Sequence, residues 1–327
     1  MKTPLLLTES LSIGYKNHAV QTELSLTLHE GELVCMLGKN GCGKSTLLRT
    51  LGGLQSSLSG KVYMKGREIS HISARERAQL FSIVLTERVE NSNMTVWDIV
   101  SLGRFPHNNW LGQLTENDKH LVRDAIHKVK LDDKTHTYIY CLSDGERQRA
   151  MIARALAQDT PLILMDEPTA HLDLPNRVDT MLLLRELAHT TQKTILLSTH
   201  ELDLALQTAD GIWLMSPHAG IITGIPEDLV LEGAFQKAFH ADSFIFNPAN
   251  GNFSVSYETT KPLHIYGDRT RTYWTVRALA RMGYSGVEEA DNCVEILQNG
   301  WMINQNEFCS SIAELADKLE QVFSKSL

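Results

Sequence analysis

Residues 38–46 read GKNGCGKST. Residues 32–37 read as a short strand that leads straight into them, and residues 45–54 follow with helical spacing of apolar positions. A strand that enters a glycine-rich turn and leaves it as a helix is a narrow specification. Glycines at 38, 41 and 43 let the backbone wrap tightly and turn N–H groups toward one anion. The N-terminus of the following helix adds a favourable dipole. Lys44 is placed to reach the β- and γ-phosphates of a nucleotide, and the Ser45 hydroxyl to ligate Mg²⁺. An accidental glycine loop would lack the strand before it and the helix after it.

Two later segments add chemistry. Residues 162–169 read LILMDEPT. The continuous apolar run 162–165 fits a strand buried on both faces of a largely parallel sheet, and 194–198 repeats the pattern. At the end of the first run, Asp166 can hold Mg²⁺ through a water, and Glu167 can polarise an attacking water. Two surface acids ending a strand are the plain alternative; the phosphate loop upstream favours the functional one. Residues 142–150 read LSDGERQRA. Ser143 with Glu146 three residues on is a capping box. A capped helix start is also an anion site, so Ser143 and the Gly145 amide can face a γ-phosphate.

The chain has 327 residues, room for one large domain and a smaller one. Its net charge of −8 argues against a dedicated nucleic-acid binder. Five scattered cysteines point to reduced thiols rather than a disulfide framework or zinc site. No run approaches the ~20 apolar residues that span a bilayer, so any membrane crossing falls to other chains. Residues 12–15 and 24–28 read as strands, and 61–69 as a hairpin turning at Lys65-Gly66. Residues 95–103, 115–129 and 144–158 have helical spacing. A boundary lies near 259–262. Beyond it, 263–266 reads as a strand and 272–282 as a helix. A hairpin joins 293–297 to 301–303 at Asn299-Gly300, and a capped helix starts at Ser311. Residues 268–271, DRTR, read as a solvated loop with a threonine cap, in preference to an anion sensor.

The three segments in this order closely resemble the ATP-binding subunit of ATP-binding-cassette (ABC) transporters, over residues 1 to about 255. The resemblance implies an α/β fold. It would comprise a P-loop ABC ATPase core with a largely parallel sheet, an antiparallel β-subdomain and a helical subdomain at about 88–158. The whole cassette would span 1–258, with a small α/β domain at 259–327. Two such chains are expected to sandwich ATP and Mg²⁺ as a homodimer. Tyr15 would stack on adenine. Gly38, Asn40, Gly41, Gly43, Lys44, Ser45 and Thr46 would cradle the phosphates, and Ser143 and Gly145 would come from the partner chain. Ser45, Glu87 and Asp166 would serve the metal; Glu167, His200 and Lys44 would serve catalysis; Asp173 would signal across the dimer. Glu87, in VLTER, stands where the family usually has glutamine. Asp144 and Glu146 replace the commoner glycine and glutamine of LSGGQ. An acid beside phosphate repels it, so both side chains are expected to face elsewhere. Cys42, inside the loop, is expected to block nucleotide entry when alkylated.

Residues 95–122, and LGRFPH within them, resemble importers for iron–siderophore complexes, haem and cobalamin. That implies a membrane permease docked on exposed Phe105, Trp110 and Leu111, an external substrate-binding protein, and a peripheral place on the cytoplasmic face of the membrane. The competing reading is a soluble ABC-type ATPase acting on nucleic acid, ribosomes or cofactor assembly. Such proteins commonly carry coiled-coil insertions, a tandem cassette or basic extensions, and this sequence displays none. A third reading makes the tail a ligand-regulated switch.

Overall fold

The structure, a computed structural model, describes residues 4–16, 18–85, 93–108, 113–217, 220–239, 244–249 and 251–324. The chain divides into two compact units. One holds Met1–His240 and Phe246–Asn252, the other Ala241–Ile245 and Phe253–Leu327.

The first unit opens with β1 (Pro4–Tyr15), β2 (His18–Leu24) and β3 (Thr27–His29). β4 (Leu33–Gly38) then runs into the phosphate loop and α1 (Lys44–Leu51). β5 (Ser59–Met64) and β6 (Arg67–Glu68) return to the first sheet, ordered β2-β1-β5-β6 with β3 also on β1. Met64 pairs with Arg67 across Lys65-Gly66, whose φ values of 49° and 75° give the primed turn that matches strand twist. The single strand expected at 24–28 is instead the end of β2 and the start of β3. The Thr8 hydroxyl takes over between them, donating to Leu24 O at 2.9 Å and accepting from Leu26 N at 2.8 Å. A side chain thus satisfies the backbone where the ladder changes partner.

The second sheet follows α2 (Ala74–Leu80) with β7 (Phe81–Val84). The chain then forms α3 (Val96–Ser101), α4 (Glu116–Lys128) and α5 (Asp144–Ala157) before β8 (Leu162–Asp166). Next come α6 (Leu174–Thr191), β9 (Thr194–Ser198), α7 (Leu202–Thr208), β10 (Gly211–Ser216) and β11 (Gly220–Gly224). The order is β11-β10-β4-β9-β8-β7, parallel except at β11. Every residue of β4, β8 and β9 is buried, as continuous apolar runs require of strands covered on both faces. Ser198, ending β9, pairs with Met36 on one side and Asp166 on the other. The register therefore brings the carboxyl ends of three strands side by side.

α3, α4 and α5 each begin with a capping box, Thr95–Asp98, Thr115–Asp118 and Ser143–Glu146. The helix expected over 95–103 stops at Ser101, and Leu102–His107 continues as a 3₁₀ turn. Close packing there demands glycine: a Cβ on Gly103 would stand 2.3 Å from the carbonyl oxygen of Arg154 in α5. Residues 88–92 and 109–112 of the expected helical subdomain lie outside the described residues. α8 (Pro226–Leu231), α9 (Ala234–Ala238) and the short strands β12 (Phe244–Asn247) and β13 (Asn252–Val255) lead on to the second unit.

That unit contains β14 (Lys261–Tyr266), α10 (Arg269–Ala280), β15 (Tyr284–Val287), β16 (Cys293–Ile296), β17 (Trp301–Ile303), β18 (Glu307–Cys309) and α11 (Ile312–Ser324). Its sheet is ordered β15-β14-β16-β17-β18, with β14 parallel to both neighbours and the later pairs antiparallel. Leu263, Leu279, Tyr284, Val294, Ile303, Leu315 and Leu319 form its core. The helix expected at 272–282 starts earlier, and its cap is not a threonine. The Asp268 carboxylate accepts from Arg271 N at 2.9 Å, so residues 269–271 are already helical. Arg271 donates to Leu297 O and Gln298 O and lies 4.4 Å over the Trp301 ring. It serves this unit's own packing.

Candidate active site

The phosphate loop owes its shape to two left-handed glycines. Gly41 has φ 79° and faces open space; Gly43 has φ 105°, and a Cβ there would stand 2.7 Å from Val20 Cγ1. Lys44 is buried, and its Nζ donates to Gly38 O at 2.9 Å. Ser45 Oγ donates to Asp166 Oδ1 at 3.0 Å, and Ser198 Oγ donates to the same oxygen at 2.6 Å. Ser198 also accepts from the Glu167 N–H, at 3.0 Å through its hydroxyl and 3.2 Å through its carbonyl. This fixes the backbone at Glu167, where φ is 49°, a conformation uncommon outside glycine. From there Glu167 Oε1 lies 2.8 Å from His200 Nε2. With Glu167 as carboxylate, Nε2 is the donor. Lys44, Ser45, Asp166, Glu167 and His200 thus gather at the carboxyl ends of β4, β8 and β9.

A hydroxyl and a carboxylate in contact are hard oxygen donors that suit Mg²⁺. Among the described residues no group of three or more His, Cys, Asp or Glu could hold a metal. The Ser45–Asp166 pair fits an ion that also takes oxygens from water and phosphate, as Mg²⁺ does. Glu87, expected to join them, lies outside the described residues.

Tyr15 ends β1, is 53% exposed, and its hydroxyl accepts from Thr46 Oγ1 at 3.2 Å. Asn40 is exposed at the loop tip. Cys42, inside the loop, is only 1% exposed. Burial pushes its thiol up, and nearby Lys44 offsets part of that. The loop's own fold shields this cysteine from reagents.

Ser143 and Gly145 stand in another group, at the start of α5. Glu146 accepts from Ser143 N at 2.9 Å, and Asp144 pairs with Arg147 at 3.0 Å. Both acids are thus occupied at the start of their own helix. Gly145 is buried against α6: a Cβ on it would stand 2.5 Å from Asn176 Oδ1. Asp173 holds Asn176 from the cap of α6, accepting from its N–H at 3.1 Å and its amide at 2.6 Å.

Two residues of the site went unread in the sequence. Gln21, 4% exposed on β2, donates through Nε2 to Cys42 O at 3.1 Å and to Ser216 O at 2.9 Å. A single glutamine in a strand carries no local signal. Ser198 had one, its place at the end of an apolar run.

The LGRFPH segment is now explained as a packed corner. Arg104 Nε meets Asp118 Oδ1 at 2.8 Å, with both side chains under 9% exposed, and Nη1 donates to Ala157 O at 2.8 Å. His107 Nε2 lies 2.8 Å from Gln158 O. Phe105, between them, is 73% exposed. Trp110 and Leu111 lie outside the described residues.

The ABC transporter family matches residues 21–170, and the iron ABC transporter C-terminal domain matches residues 260–320. Over 262 residues the chain is 36% identical to an uncharacterized ABC transporter ATP-binding protein of Methanocaldococcus jannaschii, covering 80% of this chain and 90% of that protein. The chain belongs to the ABC transporter ATP-binding family. As an ABC cassette it binds ATP and is an ATPase coupled to transport. It is 32% identical, over 76% of this chain and 93% of the other, to the iron(3+)-hydroxamate import ATP-binding protein FhuC of Bacillus subtilis. Among solved structures it resembles a chain of a metal-chelate type ABC transporter in an inward-facing conformation. That match has 28% identity and a TM-score of 0.64, over 73% of this chain and 90% of the other. The α/β cassette fold expected from the sequence is present. No helix among the described residues is long and apolar enough to cross a membrane.

Proposed function

We propose that this chain is the ATP-hydrolysing subunit of an importer for an iron(III) chelate, working as a homodimer on a membrane permease. The observation that carries hydrolysis is the convergence of Lys44, Ser45, Asp166, Glu167 and His200 on one strand end. Tyr15 stacks on adenine. The loop from Gly38 to Thr46, Asn40 included, cradles the phosphates, with Lys44 turning from Gly38 O to the outer ones. Ser45 and Asp166, joined by Glu87, would hold Mg²⁺, which would neutralise phosphate charge. Glu167 polarises the attacking water while His200 steadies its carboxylate and the γ-phosphate. Catalysis of this kind is mainly positioning and charge stabilisation. Ser143 and Gly145 of one chain complete the site of the other. ATP favours the closed dimer by binding it more tightly, and hydrolysis reopens it.

Iron is favoured over haem or cobalamin because FhuC is named for iron(3+)-hydroxamate import and the second unit matches an iron-transporter domain. Exposed Phe105 and Leu102 suit a docking face for the permease. The cassette, residues 1–258, would then sit peripherally on the cytoplasmic face of the membrane. An external binding protein would deliver the cargo, and residues 259–327 would form a separate accessory domain.

Tagged Glu167→Gln protein, purified from gently solubilised native membranes, tests this. A multi-span permease recovered in about equal amount is expected. Recovery of soluble partners alone, or of none, would overturn the transporter reading in favour of a soluble ATPase.

A further inference from the structure

Gln21 is a buried polar side chain with both hydrogens of its amide nitrogen engaged. One goes to Cys42 O in the phosphate loop, the other to Ser216 O at the end of β10. Cys42 O is one end of a planar peptide whose other end is the Gly43 N–H. The chain has no cis peptides among its described residues, so that N–H points away from the carbonyl. Holding the carbonyl from β2 therefore turns the Gly43 amide to the opposite side, where a phosphate taken up by the loop's N–H groups would lie. Gly43 is also the residue that precedes α1, so its amide belongs to the helix start. Val20, next to Gln21, bounds the same glycine on another side. β2 thus shapes the loop through two adjacent residues, and Gln21 ties it to β10 as well.

We propose that Gln21 is a positioning residue of the phosphate loop, orienting the Gly43 N–H for bound ATP through the Cys42–Gly43 peptide. This rests on the family's ATP binding at that loop and on no part of the iron reading. Its effect is on binding that ground and transition states share, so its loss should raise KM and leave kcat nearly unchanged.

The test compares the full-length parent with Gln21→Leu and Gln21→Glu, measuring melting, ATP dissociation constant, and kcat and KM. Gln21→Leu leaves the buried Cys42 carbonyl and the part-buried Ser216 carbonyl without this donor and should weaken ATP binding about tenfold. Gln21→Glu sets a carboxylate between two carbonyl oxygens, which favours its protonated form and raises its pKa. Protonation restores one donor. ATP affinity of that variant, relative to the parent at each pH, should therefore recover as pH falls from about 8 to about 6. A general packing defect would not follow the titration of that carboxyl. A Gln21→Leu protein that binds ATP within about twofold of the parent overturns the proposal even if it melts lower. So does a Gln21→Glu protein whose relative affinity stays flat with pH. A parent that binds no ATP would overturn the ATPase reading itself, and the proposal with it.

Discussion

Glu167 sits in the left-handed region because Ser198 holds its N–H and its side chain meets His200. Strain of this kind persists only where neighbours over-determine it. At this scale the cysteines offer a direct check. The thiolate is the reactive form, and Cys42 is buried with its thiol raised, whereas Cys141 is exposed just before Ser143. Peptide mapping after brief iodoacetamide treatment should find Cys141 modified well before Cys42. Equal labelling would mean that the loop opens in solution. Closing the proposed dimer with ATP on the Glu167→Gln background should slow Cys141 labelling, because that residue adjoins the surface given to the partner. The Glu87→Gln change, which restores the family's usual residue, should keep substantial phosphate release; a dead enzyme would assign the carboxylate a specific role.

At the scale of elements, the corner formed by the 102–107 turn, α4 and α5 is held by one buried ion pair. Replacing Arg104 by leucine leaves Asp118 in place, nearly buried, with only its Thr115 bonds. Breaking a buried pair by removing one partner costs about 3–5 kcal/mol. Denaturant melts should show a loss near the lower figure, with part of it recovered by adding Asp118→Asn. Burial alone would raise the Asp118 carboxyl, but bonds from Thr115 and Arg104 outweigh it and hold the group below its ordinary range. Its contribution is therefore complete above the unfolded value of about 4 and fades as pH falls through the depressed one. The stability gap between the parent and Asp118→Asn should accordingly narrow as pH falls below about 4. A gap that widens there would contradict the assignment. Gly103→Ala, which drives a methyl against Arg154 O, should also destabilise this corner.

For the whole molecule, the decisive quantity is transport. Cells carrying the Glu167→Gln chain in place of the parent should lose uptake of radiolabelled ferric hydroxamate and keep uptake of haem and cobalamin. Loss of haem or cobalamin uptake instead would move the cargo assignment while leaving the ATPase intact.

The order of motifs along the chain by itself determined the cassette. The phosphate loop, the apolar runs ending in Asp166-Glu167 and in Ser198, and the capping box of α5 are local signals, legible because their physics lies within a few residues. The tertiary structure decided what depends on distant partners. Gln21 reaches Ser216 across 195 positions, Gly145 meets Asn176 from another helix, and Thr8 divides β2 from β3. Cys42 looks available in a glycine-rich string and is buried once the loop closes over it. Asp268 displaces the expected threonine as cap because its carboxylate is the group that reaches the Arg271 N–H. A hydrogen bond or a close approach between segments far apart in the chain leaves no period or composition to read, since only folding brings its two halves together.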